Sequence, residues 1–164
     1  MISKILYFVI LSALFLVPYF LYMSRCKLMA KFYLGMTALL SARKLYRMVL
    51  LIVLLVFHYL HFSVFVYEIG IIFSTIAFTA FFLFMDVDKW LHRLHEEKIA
   101  SRVVVISIFV FMLTPHLLTM AVTLYFILLA ALFYPARRIL SYWDDADRRK
   151  GLLADTSGLP RLYH

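Results

Sequence analysis

No asparagine and no glutamine occurs anywhere in this chain, which holds four glycines, four prolines and a single cysteine. The missing amides exclude N-linked glycosylation, whose acceptor is an Asn-x-Ser/Thr sequence, and they exclude amide hydrogen bonds between helices. One cysteine, Cys26, excludes an intramolecular disulfide framework. It stands between Arg25 and Lys27 at the end of an apolar run; acylation of such a thiol is the special reading and a plain thiol the ordinary one. Gly70 is the only glycine inside an apolar run, so helix pairs closed by small-xxx-small stripes are not expected. Large side chains must make the helix contacts.

What the chain has is apolar bulk and positive charge. Hydrophobic residues make up 65% of it and mean hydropathy is +0.93, against about 45–50% apolar residues in a soluble domain. Lipid is the expected solvent. Seventeen Lys and Arg stand against nine Asp and Glu, a formal net charge of +8. In a soluble domain that balance points to nucleic acid. Here the cations flank apolar runs, so the expected partner is a bilayer with anionic headgroups, with no nucleic acid. All of them but Lys4 fall in three stretches, 25–47, 89–102 and 137–161, and five apolar runs let every stretch face one side. Short loops rich in Lys and Arg stay cytoplasmic when apolar helices insert, which predicts an outside N-terminus and a cytoplasmic C-terminus.

The expected fold is an all-α, polytopic integral membrane bundle of about five transmembrane helices, an N-terminal span plus two tight hairpins. The first span, 5–23, approaches the ~20 residues needed to cross. Only Lys4 precedes it and no small-x-small site follows at Met23 and Ser24, so a retained span is expected over a cleaved signal. Residues 48–85 carry one charge, Glu68. As one straight helix they would reach about 57 Å, nearly twice a core of about 30 Å. The chain must turn at Glu68-Ile69-Gly70, giving spans 48–67 and 70–85. The uncharged run 103–134 repeats the argument, interrupted at Thr114, Pro115 and His116, because proline disfavours helix for the residue before it. Its arms are 103–115 and 117–134; the first is short, which leaves a re-entrant hairpin open.

Between the spans, 27–42 reads as an amphipathic connector. Leu28, Met29, Phe32, Tyr33, Met36, Leu39 and Leu40 share one face at spacings of three and four, opposite Lys27 and Lys31. It either lies in the headgroup plane or packs on the spans. Residues 86–102 are expected as a solvated charged helix continuing the third span, supported by Arg93 and Glu97 four apart. After a transmembrane domain 1–136, residues 137–164 form a basic tail: a helix whose Ile139, Leu140, Tyr142 and Trp143 rest on the interface, then an irregular end around Gly158 and Pro160. Arg25, Lys27, Lys31, Arg43, Lys44, Arg47, Arg137 and Arg138 are the expected membrane-surface cations. Tyr22, Trp90, Tyr134 and Trp143 are the expected interface anchors.

Two segments share the form His-x-Leu-His, ending in His61 and His95. Positions three apart share a helix face, which suits a common proton or metal. His58 and His61 lie in the second span, with Glu68 and His116 at outer turns as completing groups. Glu68 is about 10 Å along a helix from His61, so pairing those two needs a break, and Glu68 with His116 is the easier match. Ionisable groups inside membranes are functional candidates; for these four the plainer reading is a polar contact between helices. Asp88, His92 and His95 share another face beside Glu96 but lack enough ligands for a metal. The chain shows no GxSxG, P-loop or HExxH motif, and neither enzyme activity nor a cofactor is expected. Three functions follow, in order. The first is a small multi-pass protein of a bacterial inner membrane that binds other membrane proteins, a second copy of itself among the candidates. Such a protein would be an accessory subunit of a secretion or conjugation apparatus, or an immunity or exclusion factor. The second is an oligomeric proton- or metal-linked transporter or channel subunit using the membrane histidines. The third is a metal-dependent membrane enzyme.

Overall fold

The computed structural model describes residues 2–22, 26–65, 68, 70–146, 149, 150 and 163. Among them the chain is helix and connecting turn, with no strand. The helices are α1 (Ile2–Leu21), α2 (Lys27–Ala38), α3 (Leu40–Val64), α4 (Gly70–Phe84), α5 (Val87–Glu96), α6 (Lys98–Leu113), α7 (Leu118–Leu132) and α8 (Arg137–Asp144). Among the described residues two stretches are long and apolar enough to cross a membrane: α3, and the run Leu118–Asp144 that takes in α7 and α8. A third is reached only if α4 and α5 count as one span, and their axes differ by 103°. At ~1.5 Å per residue, α4 with 15 residues and α6 with 16 each reach only about 22–24 Å.

The reversals fall where the length arithmetic demands them. α3 stops at Val64, the Phe65 amide closing on His61 O at 2.8 Å, and α4 starts at Gly70. Thr114, preceding Pro115, takes extended angles (φ −89, ψ 123), the conformation a following proline imposes. His116 then turns the chain with φ 64. The two turns touch: a Cβ built on Gly70 would collide with the His116 carbonyl oxygen. Only glycine fits there.

The charged segment 86–102 does not continue the third span. It breaks twice, at Asp86 and again at Glu97, which takes extended angles (φ −89, ψ 104). The first break turns α5 across the bundle and buries Val87, Leu91, His92 and Leu94. An apolar face at three-four spacing gains more by packing on α7 than by standing in water. The connector likewise packs on its neighbours: Met29, Tyr33 and Met36 are buried against α3 and α8, whereas Leu28, Leu39 and Leu40 are exposed. It ends sooner than expected, at Ala38, because Leu39 is extended and hands over directly to α3. Nor is the tail apart from the bundle, since Ile139 on α8 and Tyr163 beyond it are wholly buried. Residues 151–162, with Gly158 and Pro160, and also Arg25, lie outside the described residues.

Candidate functional site

At one end of the bundle the break after α3 folds Glu68 back onto the helix it follows. Its Oε2 meets His61 Nε2 and its Oε1 accepts from Thr119 Oγ1 at 3.1 Å. His61 is wholly buried and the Glu68 side chain 11% exposed. One turn deeper, His58 Nε2 lies 2.9 Å from Thr123 Oγ1 and 3.2 Å from Ser74 Oγ. Both hydroxyl hydrogens are already given to backbone, Thr123 to Thr119 O at 2.7 Å and Ser74 to Ile71 O at 3.0 Å. His58 must therefore donate from Nε2, leaving Nδ1 bare, and that atom is buried with no hydrogen-bond partner. α3, α4 and α7 are thus sewn together through His58, Ser74 and Thr123 in one layer and His61, Glu68 and Thr119 in the next. Beyond His58 toward the basic end, Phe57 packs on Phe126 at 5.6 Å and Phe78 stands edge-on to the His58 ring. These rings close the polar layer from that end.

The pairing differs from the easier match expected from spacing. The break at Phe65 brings Glu68 to His61, while the exposed His116 contributes its backbone oxygen to the contact with Gly70. Among the described residues no three His, Cys, Asp or Glu side chains are grouped to hold a metal ion.

A second polar layer gathers the three basic stretches at the other end. Arg47 reaches Asp88 at 3.1 Å, and Glu96 pairs with Arg137 at 3.6 Å while accepting its backbone N–H at 2.6 Å. Tyr134 donates to Asp88 and meets His92 edge-on, with ring centroids 4.9 Å apart. Tyr134 is therefore no interface anchor: it is wholly buried, with its ring against His92 and its hydroxyl satisfied by the half-exposed Asp88. Tyr22 and Trp90 are exposed and Trp143 half-buried. Of the surface cations, Lys27, Lys31, Lys44 and Arg138 are exposed, Arg43 and Arg47 are half-buried, and Arg137 is held by Glu96. Asp86, at the sharp bend, is held below the usual carboxylate range by its hydrogen bond from Lys89 and that cation's charge.

This layer also contains a device that spacing did not disclose. A helix leaves its last four carbonyls without partners, and Pro135, having no N–H, cannot supply one. Three side chains from three other segments gather on carbonyls at and just past the end of α7, where the Tyr134 amide also reaches Ala131 O at 3.0 Å. Tyr46 of α3 donates to Ala130 O at 3.0 Å. His95 of α5 donates from Nδ1 to Ala131 O at 2.9 Å. Tyr163 donates to Phe133 O at 2.7 Å. Pro135 was the one available signal. It marks where α7 must stop, though not which groups cap it. Comparison with protein-family models, curated proteins and solved structures finds no match for this chain.

Proposed function

We propose that this chain is a non-catalytic membrane component that binds another membrane protein through the outer face of α6. A bacterial inner membrane, with the basic end cytoplasmic, is the setting this reading takes. An accessory subunit of a secretion or conjugation apparatus, or an immunity or exclusion factor, is the kind of protein it describes. One observation carries the reading. α6 contains no buried residue, and Ile99, Val103, Ile106, Val110 and Leu113 are 76, 56, 62, 55 and 85% exposed. Their spacing alternates four and three, the repeat by which one helix seats knobs in the holes of another. Rigid β-branched side chains at four of these five positions lose little rotamer freedom on packing.

Lipid can cover such a face, but α6 is shorter than the hydrocarbon core. A short span relieves that mismatch by thinning the bilayer or by associating with another helix. The polar groups favour the same reading over transport. The His58 and His61 layer is spent on helix contacts and ends against aromatic rings, which supports a clamp more than a path.

Photoreactive side chains placed at Ile106 and Phe109, with Ile72 and Ile76 on α4 as controls, test this in native membranes. A discrete protein adduct from the α6 positions alone, lost on Val110→Arg, is expected. Adducts only with lipid, or only at twice the mass of this chain, would overturn it.

A further inference from the structure

We propose that the cavity between the start of α3 and the end of α8 is a binding site for one phospholipid headgroup, with phosphoethanolamine as its ligand. The cavity measures about 480 Å³ and is lined by Thr37, Ala38, Leu40, Arg43, Leu140, Trp143, Asp144 and Arg149. Unlike the apolar clefts elsewhere on the bundle, it brings three formal charges to one concavity: two guanidinium groups and one carboxylate. This reading does not depend on the proposed role of α6.

Arg43 is the central group. It lies one turn into α3, half-buried, and its Nε is shielded from solvent with no hydrogen-bond partner. Neighbouring Arg47 has its carboxylate in Asp88; no ion pair joins Arg43 to Asp144. Arg149 faces the same space from one turn beyond α8, its amide bonded to Asp145 O at 2.9 Å. The cavity also adjoins the first turn of α3, a 25-residue helix whose N-cap Leu39 provides no side-chain cap. The dipole of that helix adds to the attraction for a phosphate oxygen.

Asp144 decides the headgroup. A carboxylate lining the same cavity as two arginines repels a bare anion but complements a ligand that carries an ammonium a few bonds from its phosphate. Ethanolamine offers three N–H donors there, and choline offers none. The apolar wall of Leu40, Leu140 and Trp143 suits the glycerol and first acyl carbons, and an indole ring favours the bilayer interface.

The full chain is placed in nanodiscs of phosphatidylcholine doped with phosphatidylethanolamine or phosphatidylglycerol, and retained lipid is counted by native mass spectrometry. Wild type is expected to hold one phosphatidylethanolamine at least about tenfold more tightly than phosphatidylcholine, the value of one charge-assisted hydrogen bond. Arg43→Ala and Arg149→Ala each reduce retention of that lipid at least tenfold. Asp144→Asn abolishes the preference over phosphatidylcholine while leaving phosphate-dependent retention. Arg149 and Asp144 are exposed, and unchanged melting of their variants separates lost binding from lost folding. Equal retention of both lipids by wild type overturns the proposal. So does a preference for phosphatidylglycerol, or displacement of the lipid by millimolar inorganic phosphate, which would make the site one for a soluble anion.

Discussion

Tyr163 donates its hydroxyl to the carbonyl of Phe133, thirty residues earlier, at 2.7 Å, and its ring lies 4.3 Å from that of Tyr33. One side chain thereby closes α7 and braces α2. Tyr163→Ala is expected to lower unfolding stability by about 3–5 kcal/mol, as large aromatic deletions from packed interiors do. Tyr163→Phe keeps the ring and loses the bond, costing about 1–3 kcal/mol. Thermal unfolding in one detergent compares the two; equal losses would mean that the hydrogen bond alone matters, and no loss in Tyr163→Phe that packing alone does.

The Arg47 and Asp88 side chains are 27% and 43% exposed, so their ion pair contributes at most about 1 kcal/mol. The larger role of Asp88 is as acceptor for the buried Tyr134 hydroxyl. Asp88→Ala is expected to cost about 1–3 kcal/mol in wild type, and well under half of that in a Tyr134→Phe background. A double-mutant cycle by thermal unfolding reads the difference.

Gly70→Ala forces a methyl group onto the His116 carbonyl, where neither backbone can yield without opening the contact between turns. A loss of about 1–3 kcal/mol is expected. Gly35→Ala is the control, since its added methyl meets nothing within 4 Å in a helix interior. It should stabilise by about 0.5–1 kcal/mol.

His61→Phe alone strands the Glu68 carboxylate with only Thr119, at an expected cost of about 3–5 kcal/mol. Replacing the pair together, His61→Phe with Glu68→Leu, should recover most of that loss, because neither buried group is left without its partner. Adducts from α6 should survive in the double variant. Their disappearance would give the pair a functional role beyond joining helices.

The proposed setting puts the basic end on the cytoplasmic side. With Cys26 replaced by Ser, Ser41→Cys and Arg149→Cys are expected to react with an impermeant maleimide only from the cytoplasmic side, and His116→Cys only from the other. Labelling of Ser41→Cys and Arg149→Cys from opposite faces would break the positive-inside reading.

Both reversals were legible because length and hydrocarbon thickness leave no other solution, and because Pro115 constrains Thr114 by local sterics. The pairing of Glu68 with His61 was half legible: an ideal helix forbids it, and the break that permits it lies between them. The sharp bend at Asp86 was hidden, since a cluster of charges reads equally as a solvated extension or as the hydrophilic back of a helix lying across the bundle. Leu91 and Leu94 carry the apolar signal that favoured the second. Burial of Tyr134 and Tyr163 was beyond reach, because an aromatic ring with a polar tip suits a membrane interface and an interior alike. The groups that satisfy those hydroxyls come from 46 and 30 residues away.

Three donors at positions 46, 95 and 163 converge on one helix end, and ribosomes deliver them in that order. While the chain is being made, the final turn of α7 therefore exists first with Tyr46 and His95 to hand and its last carbonyl bare. A nascent chain arrested just past α8 should be an open, protease-sensitive intermediate at the basic end, and its sealing waits on the arrival of a single phenol.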